Sequence, residues 1–196
     1  MKIVVIKYDA GNIRSVENAL NRLDFNATIT DDPEIILSAD KVVFPGVGHA
    51  APTMKYLKER KLDILIKNLK QPVLGICLGQ QLMCAHSEEG DTDCLNIFPI
   101  QVKKFEVKKP LIKVPQMGWN KIYNLKSDLF KGVKEESYVY FVHSYYCENS
   151  DCTIATTDYG LDYSSALNKD NFYAVQFHPE KSAELGLKII ENFLNI

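Results

Sequence analysis

The sequence predicts an α/β fold, with a mainly parallel central sheet, helices on both faces and an added antiparallel strand layer. Three observations point there. The first half alternates short apolar runs with amphipathic stretches, the rhythm of β-α-β units. The second half is a succession of short strand-like runs closed by one amphipathic stretch. Two small-residue turns, Pro45-Gly-Val-Gly48 and Gly75-Ile-Cys-Leu-Gly79, stand at the C-terminal ends of predicted strands, where such sheets place their chemistry.

Taken in order, residues 2–7 form a core strand and Asp9-Ala-Gly-Asn12 leads into a helix. Ile13, Val16, Leu20 and Leu23 recur on one face of that helix, and Asn12 can cap it. A short strand is expected over 26–30, a helical turn from Pro33, and a buried strand over 41–44. Two helical stretches within 53–69 precede the strand 73–76. The turn at Cys77 opens a helix over 80–85, and the polar loop 87–93 is expected to be mobile. Strands follow over 97–107, 112–115, 120–123, 138–143, 153–157, 164–167 and 173–176. An amphipathic helix over 185–194 ends the chain. No linker, repeat or low-complexity segment intervenes, so residues 1–196 are expected to be one domain.

With 196 residues and 46% hydrophobic content there is chain enough for a sizeable core. A net charge of -2 argues against a nucleic-acid footprint. Lys103-Lys104 and Lys108-Lys109 alternate with Phe105, Glu106 and Val107 and read as a solvated strand edge. There is no apolar run of membrane-spanning length, and Met1–Ile6 enters a core strand without the features of a signal peptide. The five cysteines contain no CxxC pair. Cys147 and Cys152 are close enough in sequence for a disulfide or half a metal site. No second ligand pair completes a set, so reduced thiols of a cytoplasmic protein and no metal are expected.

Cys77 carries the chemistry. Glycines two residues to either side allow a strand-to-helix turn sharp enough to lift the thiol clear. The helix that follows favours a thiolate and offers an N–H to a developing oxyanion, and Pro45–Gly48 can supply a second donor. In Gln176-Phe-His-Pro-Glu180, His178 can serve as base and Glu180 as the group that orients it, which completes a Cys-His-Glu acyl-transfer set. Each piece alone has a plain structural reading: a core thiol, a turn, a strand end. Their joint placement at strand ends favours catalysis. Neither glycine turn is followed by Gly-Lys-Ser/Thr, so phosphate cradling is not expected.

These motifs resemble the class I (triad) glutamine amidotransferases. Gly75-Ile-Cys-Leu-Gly-x-Gln81, Gln176–Glu180, Pro45–Gly48 and Tyr140-Phe-Val-His-Ser144 fall in that family's order across nearly the whole chain. Gly11-Asn12, Met117-Gly-Trp-Asn120 and Lys181-Ser182 narrow the resemblance to glutaminase subunits that work with a (β/α)8-barrel cyclase in histidine biosynthesis. The resemblance implies a flavodoxin-like core, L-glutamine as substrate, a heterodimer with the cyclase and no cofactor. It implies catalysis by Cys77, His178 and Glu180, with the oxyanion on backbone N–H groups of Leu78, Val47 and Gly48. Gly46, Gly48, Gln81, Ser144 and Tyr145 would hold the substrate. Asn12, Trp119, Asn120, Tyr140 and Lys181 would face the partner, although a Trp beside Gly118 can also fill a core. Lys7-Tyr-Asp-Ala10 and Gln116 depart from the family's usual residues near that face. A paralogous subunit feeding amidino-sugar synthesis is therefore an alternative. So are a stand-alone cysteine hydrolase, whose relatives often place His where Leu78 stands, and a binding module that retained the fold.

Overall fold

The computed structural model describes residues 1–8, 13–106 and 112–196. With strands and helices numbered in chain order, β1 (Ile3–Ile6), β3 (Lys41–Phe44) and β4 (Val73–Ile76) form the centre of the fold, and every residue in them is buried. Parallel strands covered on both faces require such unbroken burial. β2 (Ala27–Thr30) lies beside β1, and β13 (Phe172–Val175) beside β4, giving the parallel order β2-β1-β3-β4-β13.

Successive side chains go to opposite faces. Val4, Ile6, Val42 and Phe44 pack with residues of α2 (Pro33–Leu37), α3 (Ala50–Glu59), α4 (Leu62–Asn68) and α5 (Leu78–Met83). Ile3, Val5, Val43, Leu74 and Ile76 pack against α1 (Ile13–Asn21) and α6 (Ala183–Asn195). Local signals set the helix ends; Asp32 caps α2 by accepting from the N–H groups of Glu34 and Ile35, with Pro33 in the first turn. The Asn12 cap expected for α1 lies outside the described residues.

Beyond β13 the sheet turns antiparallel through β12 (Asp162–Lys169), β10 (Tyr145–Cys147) and β7 (Gln101–Lys104), with β11 (Thr153–Asp158) also paired to β12. β8 (Gln116–Ile122) and β9 (Ser137–His143) form a separate antiparallel ribbon, joined to β11 by a bridge from Tyr123 to Thr156.

Several expected elements differ. Among the described residues the strand over 97–107 shrinks to β7, because the residues before it serve α5 instead, and Val107 lies outside the described residues. The N–H groups of Leu95, Asn96, Ile97 and Phe98 donate to the carbonyls of Leu82, Cys84 and Met83 at 2.7–3.0 Å, satisfying acceptors that the helix end leaves open. Residues 112–115 form no strand, and the ladder starts only at Gln116, after Pro115, which has no N–H to give. The loop expected to be mobile is a small hairpin, β5 (His86–Ser87) and β6 (Thr92–Asp93), attached in parallel to β7. β7 is therefore flanked on both sides, and Lys103 and Lys104 do not form a free edge; Lys103 pairs with Glu148 at 2.6 Å. The elbow helix follows Cys77 directly, starting at Leu78, and ends at Met83, short of Ala85. All five cysteines are free, and the Cys147 sulfur faces Cys84 at 3.5 Å.

Candidate active site

Cys77 links β4 to α5 with φ 54° and ψ -108°, a backbone conformation rare for a residue with a side chain. Close packing on both sides enforces it. Its N–H donates to the Val175 carbonyl at 2.8 Å, which ties the elbow to β13. A Cβ on Gly79 would stand 2.0 Å from the Phe44 carbonyl oxygen, and one on Gly46 would meet the Gly79 nitrogen at 2.6 Å. The elbow and the Pro45–Gly48 turn thus touch backbone to backbone, which only glycine permits.

Parallel pairing brings the second motif to the first. Val175 is in register with Ile76, so Gln176 and Cys77 leave the sheet side by side. The His178 backbone is then held from β9. Its N–H donates to the Tyr140 carbonyl at 2.8 Å, and the Ser182 hydroxyl donates to its carbonyl at 2.7 Å while accepting from the Tyr140 N–H at 2.9 Å. His178 Nδ1 lies 2.7 Å from Glu180 Oε1, and both side chains are almost wholly buried. This assigns the proton on Nδ1 to the carboxylate and leaves the buried Nε2 for Cys77. Burial alone would lower the His178 pKa. Thiolate charge on Cys77, a hydrogen bond to it, and the bond and charge of Glu180 outweigh burial and raise it to about 10.

A cavity of about 290 Å³ opens over the thiol, with Val47, Gly48, Leu78, Gln81, Ser144 and Tyr145 in its wall. The expected oxyanion donors are only partly arranged. The Leu78 N–H donates to the Gly46 carbonyl at 3.3 Å, so the turn presents an acceptor where a donor is needed. The Tyr8 hydroxyl donates to the Pro45 carbonyl from beneath the turn. Gln81 is also engaged within the protein: its Nε2 lies 2.9 Å from the Tyr145 carbonyl and 3.0 Å from Gln176 Oε1. The Tyr145 carbonyl accepts from His143 Nδ1 as well, at 2.7 Å, and the Ser144 carbonyl from the Phe105 N–H at 3.0 Å.

A family model described as glutamine amidotransferase class-I matches residues 4–196. The chain belongs to that family. The amidotransferase is 61% identical to the imidazole glycerol phosphate synthase subunit HisH of Bacteroides fragilis (strain YCH46), over the full length of both. It is 47% identical to the protein of that name from Blochmanniella floridana, again covering 100% of each. Among solved structures, a putative GMP synthase subunit from Thermoplasma acidophilum superposes with a TM-score of 0.76 at 22% identity, covering 100% of this chain and 93% of the other. A glutamine amidotransferase from Thermotoga maritima gives 0.63 at 17% identity, covering 100% and 83%. These two likenesses concern the fold alone.

Two features of the amidotransferase site escaped the sequence reading. Glu89, in the hairpin loop, reaches the cavity wall while accepting from the Ala50 N–H at 2.7 Å. Its carboxylate brings an acidic group to that wall. No periodicity marks it, and its place depends on β5 docking against β7. Behind the cavity, His143 Nε2 lies 3.2 Å from the Tyr163 hydroxyl, which lies 3.0 Å from Gln116 Oε1. Burial lowers the His143 pKa to about 4, against its bond to the Tyr145 carbonyl.

The expected partner residues divide. Met117, Trp119 and Tyr138 are 65%, 52% and 54% exposed, so Trp119 is no core filler. Trp119 is in register with Tyr140, and their rings meet edge to face with centroids 6.0 Å apart. Met117 is in register with Val142, whose carbonyl lies 3.9 Å from the Cys77 sulfur. The apolar row on the ribbon therefore runs to the mouth of the site. Lys181 is exposed beside it. Asn120 is engaged inside the chain, donating to the Asp158 carbonyl at 2.9 Å and accepting from the Lys121 N–H at 2.8 Å. Asn12 lies outside the described residues.

Proposed function

We propose that this chain is the glutaminase subunit of imidazole glycerol phosphate synthase, hydrolysing L-glutamine to glutamate and ammonia for a (β/α)8-barrel cyclase subunit in histidine biosynthesis. The observation that carries the reading is Cys77 in the cavity wall with buried His178 beside it, held by Glu180 at 2.7 Å, in a chain 61% identical to a HisH subunit over its whole length. In the reaction, Cys77 thiolate attacks the side-chain amide carbon of glutamine, and the carbonyl oxygen takes the negative charge. As the C–N bond breaks, His178 gives its Nε2 proton to the leaving nitrogen, and ammonia departs. Water then gives a proton to His178 and attacks the thioester. The C–S bond breaks and glutamate leaves. Glu180 holds the imidazole in the tautomer this requires and stabilises its charged form.

The oxyanion would rest on the N–H groups of Leu78, Val47 and Gly48 once the turn lets go of Leu78. Gly46, Gly48, Gln81, Ser144, Tyr145 and Glu89 would hold the amino-acid end of the substrate. Ammonia released into water is protonated and lost, so the row of exposed Met117 and Trp119 with half-buried Tyr140 beside the cavity is the natural seat for the cyclase, with Lys181 at its margin and Asn12 a further proposed contact. One domain, a heterodimeric assembly and a cytoplasmic location complete the reading; no helix among the described residues is long and apolar enough to cross a membrane.

The test is glutamine hydrolysis by the chain alone, with the histidine-pathway barrel, and with that barrel plus its acceptor ligand. Weak activity alone and a steep rise in the loaded complex are expected. Strong hydrolysis indifferent to every barrel would support the stand-alone hydrolase, and a rise only with a sugar-pathway barrel would support the paralogous subunit.

A further inference from the structure

Gln176 opens the Gln-Phe-His-Pro-Glu run, and its side chain is fully buried. Its Nε2 lies 3.7 Å from the Cys77 sulfur, within reach of a hydrogen bond to sulfur. The direction of this amide follows from its neighbours. The Tyr145 carbonyl can only accept, so the end of Gln81 that approaches it at 2.9 Å is the NH2. The same nitrogen lies 3.0 Å from Gln176 Oε1. A reversed Gln176 would set two NH2 groups against each other, so its own NH2 faces the sulfur.

We propose that Gln176 is a further catalytic residue, an N–H donor to the Cys77 sulfur that stabilises the thiolate, oriented by Gln81 and through it by the Tyr145 carbonyl. A thiol sulfur is a weak acceptor and a thiolate a strong one, so a fixed donor favours the anion. The Val142 carbonyl, 3.9 Å from the same sulfur, is an acceptor and suits only the protonated thiol. Gln176 offsets it. His178 supplies charge to the sulfur and takes up and returns protons; Gln176 supplies a neutral donor that stays in place throughout the cycle. Gln81 thereby gains a duty beyond substrate binding, since its NH2 joins the strand that lines the cavity to the amide on the nucleophile. The proposal deepens the glutaminase reading at the same thiol, yet a donor on sulfur can be measured without glutamine or partner.

The experiment is iodoacetamide capture of Cys77, followed by peptide mass spectrometry on the whole chain at neutral pH and at about pH 10. Gln176→Leu should slow capture about tenfold at neutral pH, with rates converging on the unmodified chain's at high pH. Gln81→Met, which leaves Gln176 in place but frees it to turn, should slow it less. Equal neutral-pH rates in both variants overturn the proposal. Should Gln176→Leu loosen the core, the same peptide map will show Cys84 and Cys147 reacting. The decision then rests on the unmodified chain, where the Gln176 side-chain amide resonance must move as the Cys77 thiol ionises; a resonance that stays still overturns the proposal. Since no arm uses glutamine, a failure here leaves the glutaminase reading standing, and a chain without glutaminase activity leaves this bond standing.

Discussion

The Leu78 N–H donates to the Gly46 carbonyl across 3.3 Å, so the donor nearest the nucleophile is already occupied. A tetrahedral intermediate needs that donor, and the turn must rotate a peptide to free it. Acceptor ligand on the partner is expected to shift the turn; identical turns in free and liganded complexes would contradict this. Tyr8 braces the present arrangement through Pro45, and burial together with Cys77 charge holds its phenol well above the ordinary range, so it stays a donor. Tyr8→Phe should raise partner-free glutaminase activity by about fivefold and lower stability by about 1 kcal/mol, read by ammonia release and denaturant melts.

Glu180→Gln keeps the size of the group at His178 but removes the charge and the preference for one tautomer. Glutaminase kcat in the complex should fall on the order of a thousandfold, with KM changed little. A drop of less than tenfold would mean that the 2.7 Å contact does not orient the base.

The raised His178 pKa has a defined signature in stability. The folded chain binds the proton more tightly than the unfolded one, whose histidine titrates near 6.5. The contribution is therefore complete below about 6.5 and disappears as pH rises through about 10. Cys77→Ala removes the thiolate charge and leaves burial opposed by Glu180 alone. Melts between neutral pH and pH 10 should show a flatter decline in Cys77→Ala than in the unmodified chain, and parallel declines would refute the assignment.

His143 has the opposite sign. It stays neutral in the folded state down to about 4, while the unfolded chain takes up a proton near 6.5. Stability is then lost as pH falls between those values, by on the order of 3 kcal/mol when complete. His143→Gln should flatten the acid limb of the melt profile, whatever it costs at neutral pH.

Trp119 stands half exposed on a ribbon that ends at the cavity. Trp119→Ala should weaken association with the cyclase by about 2 kcal/mol or more, while the melt of the isolated chain moves by less than about 0.5 kcal/mol. Calorimetric titration and thermal melts separate the two effects. A clearly lower melt with unchanged affinity would return Trp119 to a structural role.

The central strands 41–44 and 73–76 were legible to the residue, because a parallel strand covered on both faces needs an unbroken apolar run bounded by turn residues. The elbow was legible from the spacing of its small residues: Gly75 is crowded by the helix that follows it, whereas Gly79 is required by the Phe44 carbonyl of a neighbouring strand. Elements whose partners are distant in sequence were misread. Residues 97–100 have strand composition, yet the Ile97 and Phe98 N–H groups turn to the end of α5. The three-residue strand Tyr145–Cys147 has no local signal and is defined by β7 and β12 on either side.

Within the site, the residue types determined by themselves that a thiol, an imidazole and a carboxylate were available and in what order. Only the tertiary structure decided which of them meet and what else meets them. Gln176 and Cys77 lie 99 residues apart in sequence, and parallel pairing of β13 with β4 sets them side by side. Glu89 reaches the cavity because a hairpin docks on β7. The state of the oxyanion turn rests on one carbonyl pointing one way, a choice that glycine leaves open and that packing and hydrogen bonds make. Local chemistry is written in short spacings; the direction of a peptide and the partner of an amide depend on contacts that no short spacing contains.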